Sequence, residues 1–338
     1  MTVGLLVVAL LIILIGAEIF TNALEHLGER LKISEGVTGS IFAAVGTALP
    51  ETMVPLVAIF STVGTQEVRE EVGVGAILGA PLMLSTLTLF LMAFFAAQRR
   101  GWTGQFHPER SGLTRDLSWF LLAFSLSTVA IFVPHQTAWA RAALAMTMVL
   151  IYFIYLMLTI RASAKLVADG HGTEAGEPLF LVRLLGRLGL KENMIMMLIQ
   201  LGIGLTLIIV GAHGFVQGVE QLSIWFGISA LVLSLLIVPI ATELPEKINS
   251  ILWIRKRKDT LAFSNITGAL VFQGSLLPAI GIMLTPWEAR REVVAGVVLT
   301  LIASSYLLFM LRRGHLKPVH LLFNGLCYVT YLATVLLY

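Results

Sequence analysis

Two short segments of this chain carry acidic residues with apolar sequence on both sides. GSIFAAVGTALPETMVPLVAIF contains Glu51, and LIVPIATELPEKINSILW contains Glu243 and Glu246. A carboxylate placed in hydrocarbon costs roughly 2.5–3.5 kcal/mol even on lenient scales, so such residues face protein, water or ions. Thr47 and Glu51 stand four residues apart and share one helix face. Thr242 and Glu246 repeat the pair, and Glu243 precedes Glu246 by three. Pro50 and Pro245 come directly before the repeated glutamates, and each removes a backbone N–H and leaves a carbonyl without its helical donor. Pro239 extends this one turn earlier in the second segment, and Pro55 one turn later in the first. Carboxylates, hydroxyls and carbonyls form an all-oxygen set, which suits a hard cation such as Ca²⁺, Na⁺ or Mg²⁺ and no soft metal.

The elements that position these groups are membrane spans. The 338 residues are 57% hydrophobic and 13% charged, with mean hydropathy +0.89; soluble chains run near about 25% charged. This composition excludes disorder, coiled coil, nucleic-acid binding and a disulfide scaffold, and Cys327 is the lone cysteine. A span needs about 20 apolar residues, and ten candidates follow. They run from Val3 to Ala23, Val37 to Phe60, Val72 to Ala97, Leu117 to Val133 and Ala138 to Ile160. The second five run from Met194 to Val216, Ile224 to Trp253, Leu261 to Leu284, Val293 to Leu311 and Val319 to Leu337. Alternate connections then hold 18 Lys and Arg on one side and 4 on the other. The positive-inside rule puts both termini outside the cytoplasm of a prokaryotic inner membrane. The expected organisation is a five-helix unit over residues 1–160, a cytoplasmic linker over 161–193 with an interfacial helix near Leu179 to Leu188, and a second unit over 194–338.

The halves repeat. A shift of 195 residues superimposes Gly16-Ala17 on Gly211-Ala212, Phe20 on Phe215, Glu25 on Glu220 and Ile33-Ser34 on Ile228-Ser229. The same shift places Thr47 on Thr242 and Leu49-Pro50-Glu51 on Leu244-Pro245-Glu246. A shift of 189 matches Gly79-Ala80 with Gly268-Ala269. Five spans per copy force the second copy to enter the membrane upside down, and inverted repeats are an architecture of secondary transporters.

The paired G-T-x-L-P-E pattern, followed by a glycine-rich span, resembles the α-repeats of the Ca²⁺/cation antiporter superfamily, which includes Na⁺/Ca²⁺ and H⁺/Ca²⁺ exchangers. The matching segments are Gly39 to Leu84 and Ala230 to Gln273. The resemblance implies an all-α integral membrane fold of ten helices in two inverted five-helix repeats, sodium/calcium exchanger-like. It also implies Glu51 and Glu246 as central ion ligands, Thr47 and Thr242 beside them, and backbone carbonyls at Ala44 and Pro239. The departures are specific. Ala48 and Glu243 stand where the family has Ser, and the eighth span, SNITGALVFQG, keeps Asn265 and Gly268 but ends on Gln273 instead of Asn or Asp. The third span has Ala76, Ala80 and Leu84 where polar ligands are expected.

The functional expectation is a cation antiporter that exchanges Ca²⁺ or another divalent cation for H⁺ or Na⁺ by alternating access. Three carboxylates in one low-dielectric site do not all stay ionised without a cation, so protons and a divalent ion compete for the same oxygens. A cation channel, a transporter of another solute, and a non-transporting sensor or membrane enzyme are the competing readings. No phosphate loop, zinc motif or nucleophile elbow accompanies the glutamates, and no cofactor is called for. The expected partners are inorganic cations and membrane lipids, without nucleic acid, for a monomer or a homodimer. Glu18 and His213 occupy repeat-equivalent positions and are proton-relay candidates. Glu67, Glu70 and Glu71 read as a wetted helix start. Lys247 lies 100° around the helix from Glu246, which directs it to a neighbouring helix or the interface in preference to Glu243 at i−4.

Overall fold

The computed structural model describes residues 2–30, 43–62, 64–167, 178–185 and 193–337. Every regular element among them is helical. The first half comprises α1 (Thr2–Arg30), α2 (Ala43–Phe60), α3 (Gln66–Met83), α4 (Leu89–Arg100), α5 (Arg110–Ile131) and α6 (Ala138–Val167). A short α7 (Phe180–Leu185) precedes α8 (Met194–Phe226), α9 (Ala230–Thr242), α10 (Leu244–Arg255), α11 (Asp259–Gln273), α12 (Leu276–Leu284), α13 (Arg291–Arg313) and α14 (Leu322–Leu336).

Seven stretches among the described residues are long and apolar enough to cross a membrane: Val3–Ala23, Gln66–Arg100, Ala138–Thr159, Met194–Phe226, Asp259–Leu284, Arg291–Arg313 and Pro318–Leu336. The other three expected spans coincide with α2, α5 and the α9–α10 pair, whose apolar portions include the shorter Glu51–Phe60 and Ala230–Ile240. The expected interfacial helix corresponds to α7, six residues long. Readings that fall on Lys32, Ile33-Ser34, Gly39, Arg187 and Lys191 lie outside the described residues.

Local chemistry sets the helix starts. The Thr65 hydroxyl caps α3 by accepting from Val68 N–H at 3.3 Å, and the Asn193 side chain caps α8 by accepting from Met196 N–H at 2.9 Å. Within the third span, Pro81 lies one turn before a π turn at Leu84–Thr88. Asn324 of α14 donates to the Ser85 carbonyl of that turn at 2.8 Å. Such turns relieve a proline-interrupted ladder and recur at functional sites.

The pairing of α1 with α8 carries the repeat into three dimensions. A Cβ on Gly16 would meet the Gly204 carbonyl and the Ile208 nitrogen, each at 2.9 Å. One on Gly211 would meet the Ala9 carbonyl at 2.9 Å and the Ile13 nitrogen at 3.0 Å. Gly16 maps to Gly211, Ala9 to Gly204 and Ile13 to Ile208 under the shift of 195, so each contact is the other's counterpart. Glycine lets the two backbones touch at both places.

α1 and α8 share an apolar cluster with α2, α3 and α9, whereas a larger cluster unites α3 and α4 with α5, α6 and α9 to α14. Side chains rivet the larger body. Arg100 at the end of α4 makes a bidentate pair with Asp259 at the start of α11, at 2.7 and 2.8 Å. The buried Arg141 guanidinium of α6 donates to the Thr285 and Pro286 carbonyls just after α12, at 2.7 and 2.8 Å.

Candidate cation site

The seventh span is broken at one of the acidic residues. α9 ends at Thr242, Glu243 leaves helical geometry at φ −95° and ψ 9°, and α10 starts at Leu244 with Pro245 in its first turn. Proline is pre-organised for that position, where a missing N–H costs nothing. The Glu243 side chain is fully buried at the break, and Thr242 is buried beside it, its hydroxyl donating to the Val238 carbonyl at 3.1 Å. Glu246 stands in the first turn of α10. The last turn of α9 presents carbonyl oxygens at the negative end of that helix.

Lys247 turns toward this break, which corrects the expectation for it. Its buried ammonium lies 3.1 Å from a Glu243 carboxylate oxygen and donates to the Pro239 carbonyl at 2.6 Å. It also reaches the Met83 sulfur of α3 at 3.0 Å, so it does contact a neighbouring helix but is not drawn to the interface. The i−4 pairing is the ordinary one-face geometry of residues four apart, and the break spans only Glu243: its N–H still donates to the Pro239 carbonyl at 3.3 Å, and its own carbonyl accepts from the Lys247 N–H at 3.0 Å.

On the first-half side, Glu51 is buried on α2, and α2 runs without a break through Pro50 and Pro55. Ala44 and Thr47 share that helix; their side chains, with that of Glu246, lie outside the described residues. α3 and α9 press together through glycine. A Cβ on Gly79 would meet the Leu235 carbonyl at 2.4 Å and the Pro239 ring at 2.8 Å. Leu235 is the residue whose helical donor Pro239 removes, so its carbonyl points at the glycine face of α3.

α11 supplies amides. Asn265 donates to the Ser250 hydroxyl of α10 at 3.0 Å, which ties the two helices together. Gln273 ends α11 fully buried, and among the described residues neither its oxygen nor its nitrogen has a hydrogen-bond partner. Leaving a buried amide unpaired costs about 1–3 kcal/mol, so Gln273 is a destabilising feature of the packed helices as they stand.

The relay candidates are placed apart from this cluster. Glu18 is exposed on α1, and His213 of α8 donates from Nδ1 to the Ile209 carbonyl, four residues back, at 2.9 Å. Of the acidic run at the start of α3, Glu71 pairs with Arg290 and accepts from the Leu231 N–H that opens α9. That run is accordingly a helix-to-helix clasp as well as a wetted start.

Two buried acids escaped the sequence reading, Asp259 at the Arg100 pair and Asp116. Asp116 of α5 accepts from the Thr267 hydroxyl of α11 at 2.9 Å and from the Tyr155 hydroxyl of α6 at 3.2 Å. It fixes the face of α11 opposite Ser250. Its only signal is an acid immediately before the apolar run that opens at Leu117.

A helix broken inside the apolar layer, with the buried Glu243 carboxylate and the Pro239 carbonyl at the break, is a feature of membrane transporters. The family model described as sodium/calcium exchanger protein matches residues 1–161 and 196–337, so this integral membrane chain belongs to that family. It is 24% identical over 285 residues to the inner membrane protein YrbG of Escherichia coli (strain K12), covering 84% of this chain and 80% of that one. It is also 24% identical over 316 residues to the putative antiporter CaxA of Alkalimonas amylolytica, covering 93% and 91%. The crystal structure of the H⁺/Ca²⁺ exchanger CAX superimposes with a TM-score of 0.71 at 17% identity, over 99% of this chain and 86% of that one. The shared fold is thus that of an exchanger.

Proposed function

We propose that this chain is a secondary-active cation antiporter of ten membrane helices, arranged as inverted repeats over residues 1–160 and 194–338. In this reading it exchanges a divalent cation, foremost Ca²⁺, for H⁺ or Na⁺ across a bacterial inner membrane. The observation that carries it is the broken seventh span, where the buried Glu243 carboxylate and the α9 carbonyls meet inside the apolar layer. Glu51 and Glu246 supply the central carboxylates, Thr47 and Thr242 the hydroxyls, and Ala44 and Pro239 the carbonyls, with Gln273 and Asn265 as amide donors of oxygen. The reciprocal contacts of α1 and α8 support the inverted arrangement, because two-fold related copies produce such pairs.

Competition between protons and the cation for these oxygens supplies the coupling. Loading with protons on one side releases the metal, and the metal binds once they have left. The α1–α8 pair is the moving part, since it has its own apolar cluster with the inner helices and lies outside the riveted body.

The test is flux into proteoliposomes at fixed membrane potential, with Ca²⁺, Mg²⁺, Mn²⁺, Na⁺ and K⁺ offered in turn against pH or Na⁺ gradients. Wild type should accumulate a divalent cation when either gradient is applied. Glu51→Gln and Glu246→Gln should each lower exchange at least about 100-fold, which is a loss of about 2.7 kcal/mol. Accumulation indifferent to both gradients would end the antiport reading, and wild-type rates in both variants would end the site assignment.

A further inference from the structure

The charges of the second Pro-Glu element come as a pair. Under the shift of 195, Ala48 maps to Glu243 and Thr52 to Lys247. One copy therefore has two uncharged residues where the other has a carboxylate and an ammonium one helical turn apart. A buried ion pair is a poor stabiliser, because desolvating both charges offsets most of their attraction, and apolar replacements of similar volume are often neutral or better. The first copy carries no charge at either equivalent position.

The surroundings of the ammonium explain what the pair does. A lysine has three N–H donors. Those of Lys247 are matched by three acceptors from three stations: the Pro239 carbonyl of α9, a Glu243 carboxylate oxygen at the break, and the Met83 sulfur of α3. Two of the three are oxygens assigned above to the cation site. The ammonium thus stands in contact with site oxygens in the manner of a bound monovalent ion, held there by its own side chain.

We propose that Lys247 is a tethered cation that permanently fills one position of the site and so limits how much charge the transported ions bring in each cycle. This rests on the antiport reading above and deepens it. With Lys247 in place the Glu243 charge is already answered, and the transported ion is bound by the remaining carboxylates. Without it, the Pro239 carbonyl and Glu243 form an open, singly negative position that a further monovalent cation from solution fills.

The measurement is ²²Na⁺ carried together with ⁴⁵Ca²⁺ during Ca²⁺–Ca²⁺ exchange in proteoliposomes with Ca²⁺ and Na⁺ on both sides. It counts monovalent ions per Ca²⁺ in the loaded site, and as a ratio it is independent of rate, so a slow variant still reports. Wild type should carry none, Lys247→Met should carry one, and the double variant Glu243→Gln/Lys247→Met should again carry none. Glu243→Gln, which leaves the ammonium unanswered, should weaken the apparent Ca²⁺ affinity at least about tenfold, and adding Lys247→Met should restore it. If Lys247→Met is not recovered folded, that restoration in the double variant decides alone. An unaltered ratio in Lys247→Met, or an unaltered affinity in Glu243→Gln, overturns the tethered cation and leaves antiport standing. A wild-type chain that moves no cation at all overturns the parent reading instead.

Discussion

The two Pro-Glu elements share Thr-x-Leu-Pro-Glu and little else of their local structure. In the first copy α2 continues as helix through Pro50 and Glu51. In the second, the chain breaks at Glu243 and restarts as α10. The first copy brings one carboxylate to this region; the second brings two and a lysine. The motif is common to both copies, whereas the break and the ion pair occur in the second only. Because the pair is neutral, this copy became asymmetric without changing the net charge buried with it. An exchanger built from inverted copies needs two end states of similar energy, and a neutral insertion disturbs that balance least.

The glycines of the following spans give the sharpest test of that asymmetry. Gly79 and Gly268 are equivalent under the shift of 189. A methyl on Gly79 would be driven to 2.4 Å from the Leu235 carbonyl, whereas nothing among the described residues comes within 4 Å of one on Gly268. Gly79→Ala should destabilise the protein by about 1–3 kcal/mol or more and suppress exchange, since backbone at a helix crossing yields poorly. Gly268→Ala should be neutral or stabilising by up to about 1 kcal/mol through helix propensity. Thermal unfolding in detergent, read beside flux, checks both. Equal losses at the two positions would mean that the copies pack alike and that the comparison fails.

Much of this architecture was legible in the chain itself. Apolar run lengths marked out the helical membrane architecture, seven of whose stretches are long and apolar enough to span, and the 195-residue shift relates the glycine contacts of α1 to those of α8. That worked because membrane insertion and close helix packing depend on local composition, which a linear pattern records. The direction of Lys247 was not legible. Residues four apart share one helix face, so Glu243 is within reach of Lys247 in any helix, and the 100° step from Glu246 does not exclude that pairing; which acceptors are buried beside the ammonium is not written in the span. Asp116 was missed for a related reason: its partners Thr267 and Tyr155 are remote in sequence, and nothing in a single span reveals them. Glu18 and His213 were matched by the repeat, yet one lies on an exposed face and the other bonds to its own helix.

A second comparison tests the ligand set at smaller amplitude. The counterpart of Gln273 is Leu84, the first residue of the π turn in the third span. Gln273→Leu therefore installs the first copy's residue in the second. Removing a buried amide without partners relieves about 1–3 kcal/mol of desolvation, so the melting temperature in detergent should rise. If the amide oxygen meets the transported ion, the apparent affinity for the divalent cation should fall by roughly tenfold, equivalent to about 1.4 kcal/mol. A variant that gains stability and keeps its affinity would remove Gln273 from the site and make the second copy's amide as dispensable as the first copy's leucine.

The smallest effect concerns neither copy's motif but decides how pH data on both are read. Glu109 precedes α5 outside its apolar run, where its carboxylate accepts from the Ser111 and Gly112 N–H groups at 2.8 and 2.9 Å. The Ser111 side chain, first, and then these N–H groups and the nearby Arg115 charge hold its pKa below the ordinary value, against an opposing effect of burial. A carboxyl group whose folded pKa is depressed adds stability above the unfolded value, near about 4.3, and loses it as pH falls toward the folded one. The melting temperature of wild type should then decline below about pH 5 in part through this cap, and Glu109→Gln should flatten that portion of the curve while leaving neutral pH little changed. Exchange measured above that range reports the membrane carboxylates free of this contribution. If Glu109→Gln instead displaced the pH profile of exchange at neutral pH, this helix cap would be coupled to the site, and the pH dependence could no longer be assigned to the two Pro-Glu elements alone.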